Sequence, residues 1–168
     1  MFTLMPINQE QIIMGIDPGI ADTGYGLIKL KKNQLELLTF GSIKTPAKSP
    51  LDQRILKLHR ELTIIIKTYQ PEIAVVEQLF FCNNAKTALI VGQARGAILL
   101  TLAQFNLKIM ELTPLQVKQG LTGYGQAEKK QIQQMVKVLL NLKETPKPDD
   151  AADALAMAIC GSSMSKFI

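Results

Sequence analysis

Cysteine is scarce in this 168-residue chain: Cys82 and Cys160 are the only two, and neither has a second Cys or a His nearby at zinc-ligand spacing. That excludes a disulfide framework and makes a reduced cytosolic compartment the expectation. No charge-free apolar stretch reaches the roughly 18 residues of a membrane span, and the longest candidate, "AILLTLAQF", is about half that length. The opening "MFTLMPINQE" lacks a basic start followed by a long apolar run, so it does not read as a secretion signal. Repeats and low-complexity tracts are missing too. The single histidine, His59, falls inside an amphipathic pattern and reads as a surface residue rather than a ligand. Between Asp150 and Ser165 there is no Lys or Arg, although that stretch sets two carboxylates among Ala, Leu, Met and Ile.

What is present describes one domain. A hydrophobic content of 47% over this length supports a single core and is too little for two ordinary domains. Against 14 Asp and Glu stand 19 Lys and Arg, a net charge of +5 that leans towards polyanionic partners. "IIMGID" reads as a strand buried on both faces, ending at the turn "DPGIADTG". "YGLIKL" and "LELLTFGSI" follow as hairpin strands around "KKNQ", giving an antiparallel meander. Leu51, Ile55, Leu58, Leu62 and Ile65 recur at helical spacing up to Pro71, and "EIAVVEQ" is then a buried strand ending at Glu77. Residues 84–105 read as a helix with Ala88, Gly92 and Gly96 on one face, followed by a strand "KIMEL", a short helix from Pro114, a helix over 127–142 and a last helix from Asp149. The expected organisation is an N-terminal extension at 1–10, an α/β domain with a mixed sheet at 11–161 and a tail at 162–168.

Four carboxylates share a pattern of location. Asp17 ends the first strand, Glu77 the fourth, and Asp150 and Asp153 stand near the start of the last helix, where positions i and i+3 share a face. Leu155 and Ile159 fall roughly opposite them, which predicts a helix with its Leu and Ile in the core and both acids over small neighbours such as Ala154. Asp149 reads as a cap after Pro148, and Asp150 fits capping and metal binding equally. Asp153 lies beyond the cap, where Asp is a poor helix former. Taken singly, Asp17 reads equally as a turn residue and Glu77 as a solvated strand end. Jointly, the four suit a hard divalent cation, which takes oxygen ligands. Two such ions about 3.5–4 Å apart would clamp the attacking and leaving oxygens of a phosphodiester displacement.

The blocks "GIDPGIADTGYGLI", "VVEQLFFCNNAKTALIVGQARGAILL", "LTPLQVKQGLTGYGQAEKKQIQQMV" and "DDAADALAMAI" closely resemble, in this order, the RuvC family of Holliday junction resolvases. The resemblance runs from about Ile12 to Ile159 and implies a ribonuclease H-like fold with five strands. It also implies that Asp17, Glu77, Asp150 and Asp153 bind Mg²⁺, with Mn²⁺ able to substitute and two ions per subunit. Lys118 and Lys129 match basic positions of the family active site, and Phe80 its stacking residue at the crossover; Phe81 is assigned to the core. Lys130, Arg95 and Lys86 are further candidates for DNA contact. As partners the resemblance implies branched DNA, a second copy of the chain, and a branch-migration complex of the RuvA and RuvB type.

Three competing readings stand beside it. The first loop also resembles that of actin-like kinases, but a second matching lobe is missing from this length. A non-catalytic binder of branched DNA would keep the scaffold, though the acid set is intact. Another ribonuclease H-like nuclease would share the acids but not the second and third blocks.

Overall fold

In the computed structural model, which describes residues 10–78 and 85–164, the first strand, β1 (Gln11–Asp17), is sealed from solvent from Ile13 to Ile16 because both its faces are covered. It pairs antiparallel with β2 (Asp22–Lys31), which turns into β3 (Gln34–Lys44). Both turn residues, Lys32 and Asn33, have positive φ, 48° and 66°, the two-residue hairpin geometry whose twist matches right-twisted strands. Helix α1 (Leu51–Tyr69) then carries the chain to β4 (Ile73–Glu77), parallel to β1, and α2 (Ala85–Gln104) carries it to β5 (Lys108–Leu112), parallel to β4. The sheet order is β3-β2-β1-β4-β5, so the expected meander and mixed five-stranded sheet are found.

Three helices follow: α3 (Pro114–Thr122), α4 (Lys129–Leu139) and α5 (Asp149–Met164). Helix α4 is shorter than the predicted 127–142. Gln131 Oε1 accepts the Glu128 N–H at one end, and Asn141 turns left-handed (φ 51°) just past the other. Helix α5 extends beyond 161, so Ser162 is buried rather than part of a tail. Asp149 is not its cap: the Pro148 carbonyl accepts the first helical bonds, from Ala151 and Ala152.

Strand alternation divides the core in two. Ile13, Ile73 and Val75 face α3, α4 and α5, while Met14, Ile16, Ala74 and Val76 face α1 and α2. On α2, Ala94, Ile98 and Leu102 turn into this second core. His59 is correspondingly not a surface residue; half-buried, its Nδ1 lies 2.8 Å from Thr101 Oγ1 between α1 and α2. Since the Thr101 hydroxyl donates to the Ala97 carbonyl at 2.7 Å, the His59 ring N–H is the donor.

Helix α5 has no open side. From Ala151 to Ser162 every residue except Asp153 is buried, so the predicted amphipathic split, with both acids over an open face of small residues, is replaced by a helix embedded against the sheet. Two glycines make the seat possible. A Cβ on Gly15 would stand 1.8 Å from the Ala154 carbonyl oxygen, and one on Gly24 would stand 2.0 Å from that of Asp150. Both obstacles are backbone and cannot rotate away. Gly15→Ala is therefore expected to lower stability by at least about 1–3 kcal/mol, the usual range for overpacking. Chemical denaturation checks this, and an unchanged midpoint would show that α5 is not seated there.

Candidate active site

Parallel pairing and register build the site. Ile16 is paired with Val76, so one residue further on Asp17 and Glu77 hang side by side from the C-terminal ends of neighbouring parallel strands. This is where open α/β sheets place their ligands. Alternation from Gly15 and Val75 turns both acids to the α5 face. Gly24 pairs with Asp17 across β1 and β2 and lies beneath the Asp150 backbone, which brings the start of α5 over the same strand ends. The structure thus gathers all four sequence-predicted acids into one region.

Their electrostatics show the crowding. Burial pushes the Asp17 carboxyl up to about 8, with further upward pressure from Glu77, Asp153 and Asp150. Glu77 is also raised, first by burial and then by Asp153, while its hydrogen bond with Asp17 and the charge of Lys129 act the other way. The hydrogen bond between the two raises Asp17 and lowers Glu77, so Asp17 is the carboxyl that holds its proton more tightly. Asp150 is raised by burial, then by Asp22 and Asp153.

Among the described residues no three His, Cys, Asp or Glu side chains are gathered closely enough to hold an ion as they stand. The donor set nonetheless fits a hard divalent cation. It offers only carboxylate oxygens, and the upward push on Asp17, Glu77 and Asp150 marks a deficit of positive charge that such an ion would fill. Strands β1 and β4 and helix α5 fix where the carboxylates hang; their torsions are what an arriving cation would set.

Basic residues border one side. Lys118 and Lys129 line a cleft of about 190 Å³ with Glu77, Pro114, Asp153 and Met157. Thr113 caps α3, its hydroxyl accepting the Gln116 N–H, which sets the helix carrying Lys118. Lys129 bonds Asp153 at 3.0 Å and Asp149 at 3.3 Å. Burial works against its ammonium, but Asp153 and then Asp149 outweigh that, and its pKa is raised. Lys130 is exposed in a neighbouring groove with Tyr124 and Gln134. Arg95 is engaged elsewhere, 2.7 Å from Glu111, pinning α2 to β5. Lys86 falls in the first turn of α2, and Phe80 and Phe81 lie outside the described residues. Asp149, read from sequence as a cap, stands instead at Lys129 with Gln133; its spacing of four from Asp153 on one helix was the available signal. Asp22, whose charge reaches Asp150, gave no such signal.

A ribonuclease H-like sheet with two acids at its parallel strand ends and two more on the helix seated over them defines a phosphodiester-cleaving nuclease of the metal-dependent class. The family model described as crossover junction endodeoxyribonuclease RuvC matches residues 13–161, and the chain belongs to this family of Holliday junction resolvases. It is 53% identical to the crossover junction endodeoxyribonuclease RuvC of Alkaliphilus oremlandii, covering 93% of this chain and 95% of the relative. To that of Desulforamulus reducens it is 56% identical, covering 92% and 94%. The Thermus thermophilus RuvC structure in complex with a Holliday junction substrate superposes with a TM-score of 0.89 at 34% identity, covering 94% of this chain and 96% of that one.

The raised Asp17 pKa has a consequence for stability. Its carboxyl binds its proton more tightly folded than unfolded, so the stabilisation is complete below about pH 4 and is lost as pH rises through about 8. Melting in chelator should therefore fall between pH 5 and 8, and Asp17→Asn should flatten that fall. An equally steep decline in the variant would refute the assignment.

Proposed function

We infer that the chain resolves four-way DNA junctions by nicking two opposing strands, leaving 3′-hydroxyl and 5′-phosphate ends that a ligase can seal. The observation that carries this reading is the convergence of Asp17, Glu77, Asp150 and Asp153 at the ends of β1 and β4 and the start of α5. These four carboxylates would hold divalent cations of the Mg²⁺ type, two per subunit, with Mn²⁺ able to substitute. The cations supply Lewis acidity at the attacking water and at the leaving 3′ oxygen. Lys118 and Lys129, on the border of the cleft, neutralise charge on the scissile phosphate. Lys130 contacts the DNA backbone further out, and Phe80 stacks on an unpaired base at the crossover. No covalent enzyme intermediate is required. The setting is the cytoplasm, which suits the free, buried thiol of Cys160, and the working partner is a branch-migration complex of the RuvA and RuvB type.

Two strands must be cut in matched positions while each chain carries one acid set, so the reading requires a two-fold dimer. Helix α2 offers the face for it. Its Thr87–Gln104 stretch has a mean hydropathy of 1.2, long and apolar enough by length and composition to cross a membrane. That apolarity serves two faces. Ile98 and Leu102 belong to the core. Leu89 and Leu100 remain 65% and 60% exposed. A Cβ on Gly92 or Gly96, between them on the same face, would meet nothing within 4 Å. The small face is therefore open, not packed against the sheet, and a second copy can approach it closely.

Two measurements test the reading. Asp17→Asn, Glu77→Gln, Asp150→Asn and Asp153→Asn should each reduce junction cleavage by at least about 10²-fold while leaving junction binding intact, because an amide keeps the shape but ligates a hard cation poorly. Full activity in any one variant removes that residue from the site. Leu89→Glu should convert the dimer seen by sedimentation to monomer; a wild type that is monomeric both free and on the junction contradicts the assembly.

A further inference from the structure

Lys129 is the first residue of α4, where the partial positive charge of a helix N-terminus disfavours a cation. Its ammonium is nevertheless held between two α5 carboxylates, 3.0 Å from Asp153 Oδ2 and 3.3 Å from Asp149 Oδ2. Gln133, one turn along α4, donates its Nε2–H to the other Asp149 oxygen, Oδ1, at 3.0 Å. The two carboxylates are not equivalent. Asp153 belongs to the acid set, half-sheltered in the cleft with Glu77, whereas Asp149 stands outside it with its side chain 63% exposed.

We propose that Asp149, oriented by Gln133, is a positioning residue that holds the Lys129 ammonium at the mouth of the acid site and delivers it to the scissile phosphate. This rests on the reading of Lys129 as a phosphate contact. Asp153 is read as a cation ligand, and a bound cation would compete with Lys129 for its carboxylate, whose Oδ2 faces the ammonium. When Asp153 turns to its other work, a lysine on a four-carbon stem would be released to solvent. Asp149 prevents that, because its second oxygen is fixed by Gln133 and its first remains on Lys129. An acid placed at α5 only to favour the helix N-terminus would need neither the lysine nor the glutamine.

The test is a double-mutant cycle read by single-turnover cleavage of a four-way junction with Mg²⁺, alongside junction affinity in chelator and melting temperature. Lys129→Ala is expected to slow cleavage by about 10²-fold, as loss of one charge-stabilising group does. Asp149→Ala in the wild-type background should slow it by about five-fold, the upper range of an exposed ion pair, with affinity unchanged. Asp149→Glu should recover part of the rate, and Asp149→Ala should add nothing once Lys129 is Ala. The proposal is overturned if Asp149→Ala slows cleavage equally in both backgrounds, if it leaves the rate untouched, or if the loss tracks a fall in melting temperature. Wild-type cleavage by Lys129→Ala would remove the phosphate role of Lys129 itself and the delivery role with it, while leaving the four-acid reading in place.

Discussion

The arrangement depends on how closely α5 can sit on the sheet. Gly15 and Gly24 present bare backbone to the backbone of Ala154 and Asp150, and a methyl group at either position has no room. This contact sets the distance between acids from two sources, one pair fixed by strand ends and the other by a helix. The apolar content of α5 follows from the same constraint: a helix pressed onto a sheet and covered by α3 and α4 has no solvated face to fill with polar residues. Its acids at 150 and 153 are then the exceptions, part-buried carboxylates on an otherwise apolar helix.

Bringing the acids together has an electrostatic cost that the protein meets locally. Burial and the neighbouring carboxylates push Asp17 up to about 8, a hydrogen bond links it to Glu77, and Lys129 answers Asp153. These are substitutes for external positive charge, in a site whose donors are all carboxylate oxygens. The same groups explain why the basic residues cluster on the α3 and α4 side. That edge balances the acids, and Lys118 and Lys129 border a cleft that Glu77 and Asp153 share.

Much of this was legible in the sequence because local periodicity carries it. Alternation in "IIMGID" and "EIAVVEQ" placed Asp17 and Glu77 at strand ends, and the i, i+3 spacing put Asp150 and Asp153 on one helical face. What escaped was set by long-range contact. The seat of Ala154 on Gly15 joins residues far apart in the chain, and nothing local marks Gly15 as a point of helix contact. Asp149 resembled a cap because capping is a local pattern, whereas its actual partner, Lys129, lies on another helix. On α2 composition alone could not divide apolar residues between core and surface. Only the packing of Ala94, Ile98 and Leu102 against α1 and the sheet shows that Leu89 and Leu100 are left outside.

The central claim is that one acid site per chain, used twice, cuts a branched DNA symmetrically. It is tested most directly by incubating the purified protein and Mg²⁺ with a four-way junction labelled in turn on each strand, and mapping every nick. The account predicts paired nicks at matching positions in two opposing strands, with products that ligase reseals. Nicks confined to one strand, unsealable ends, or binding without any metal-dependent cleavage would contradict it.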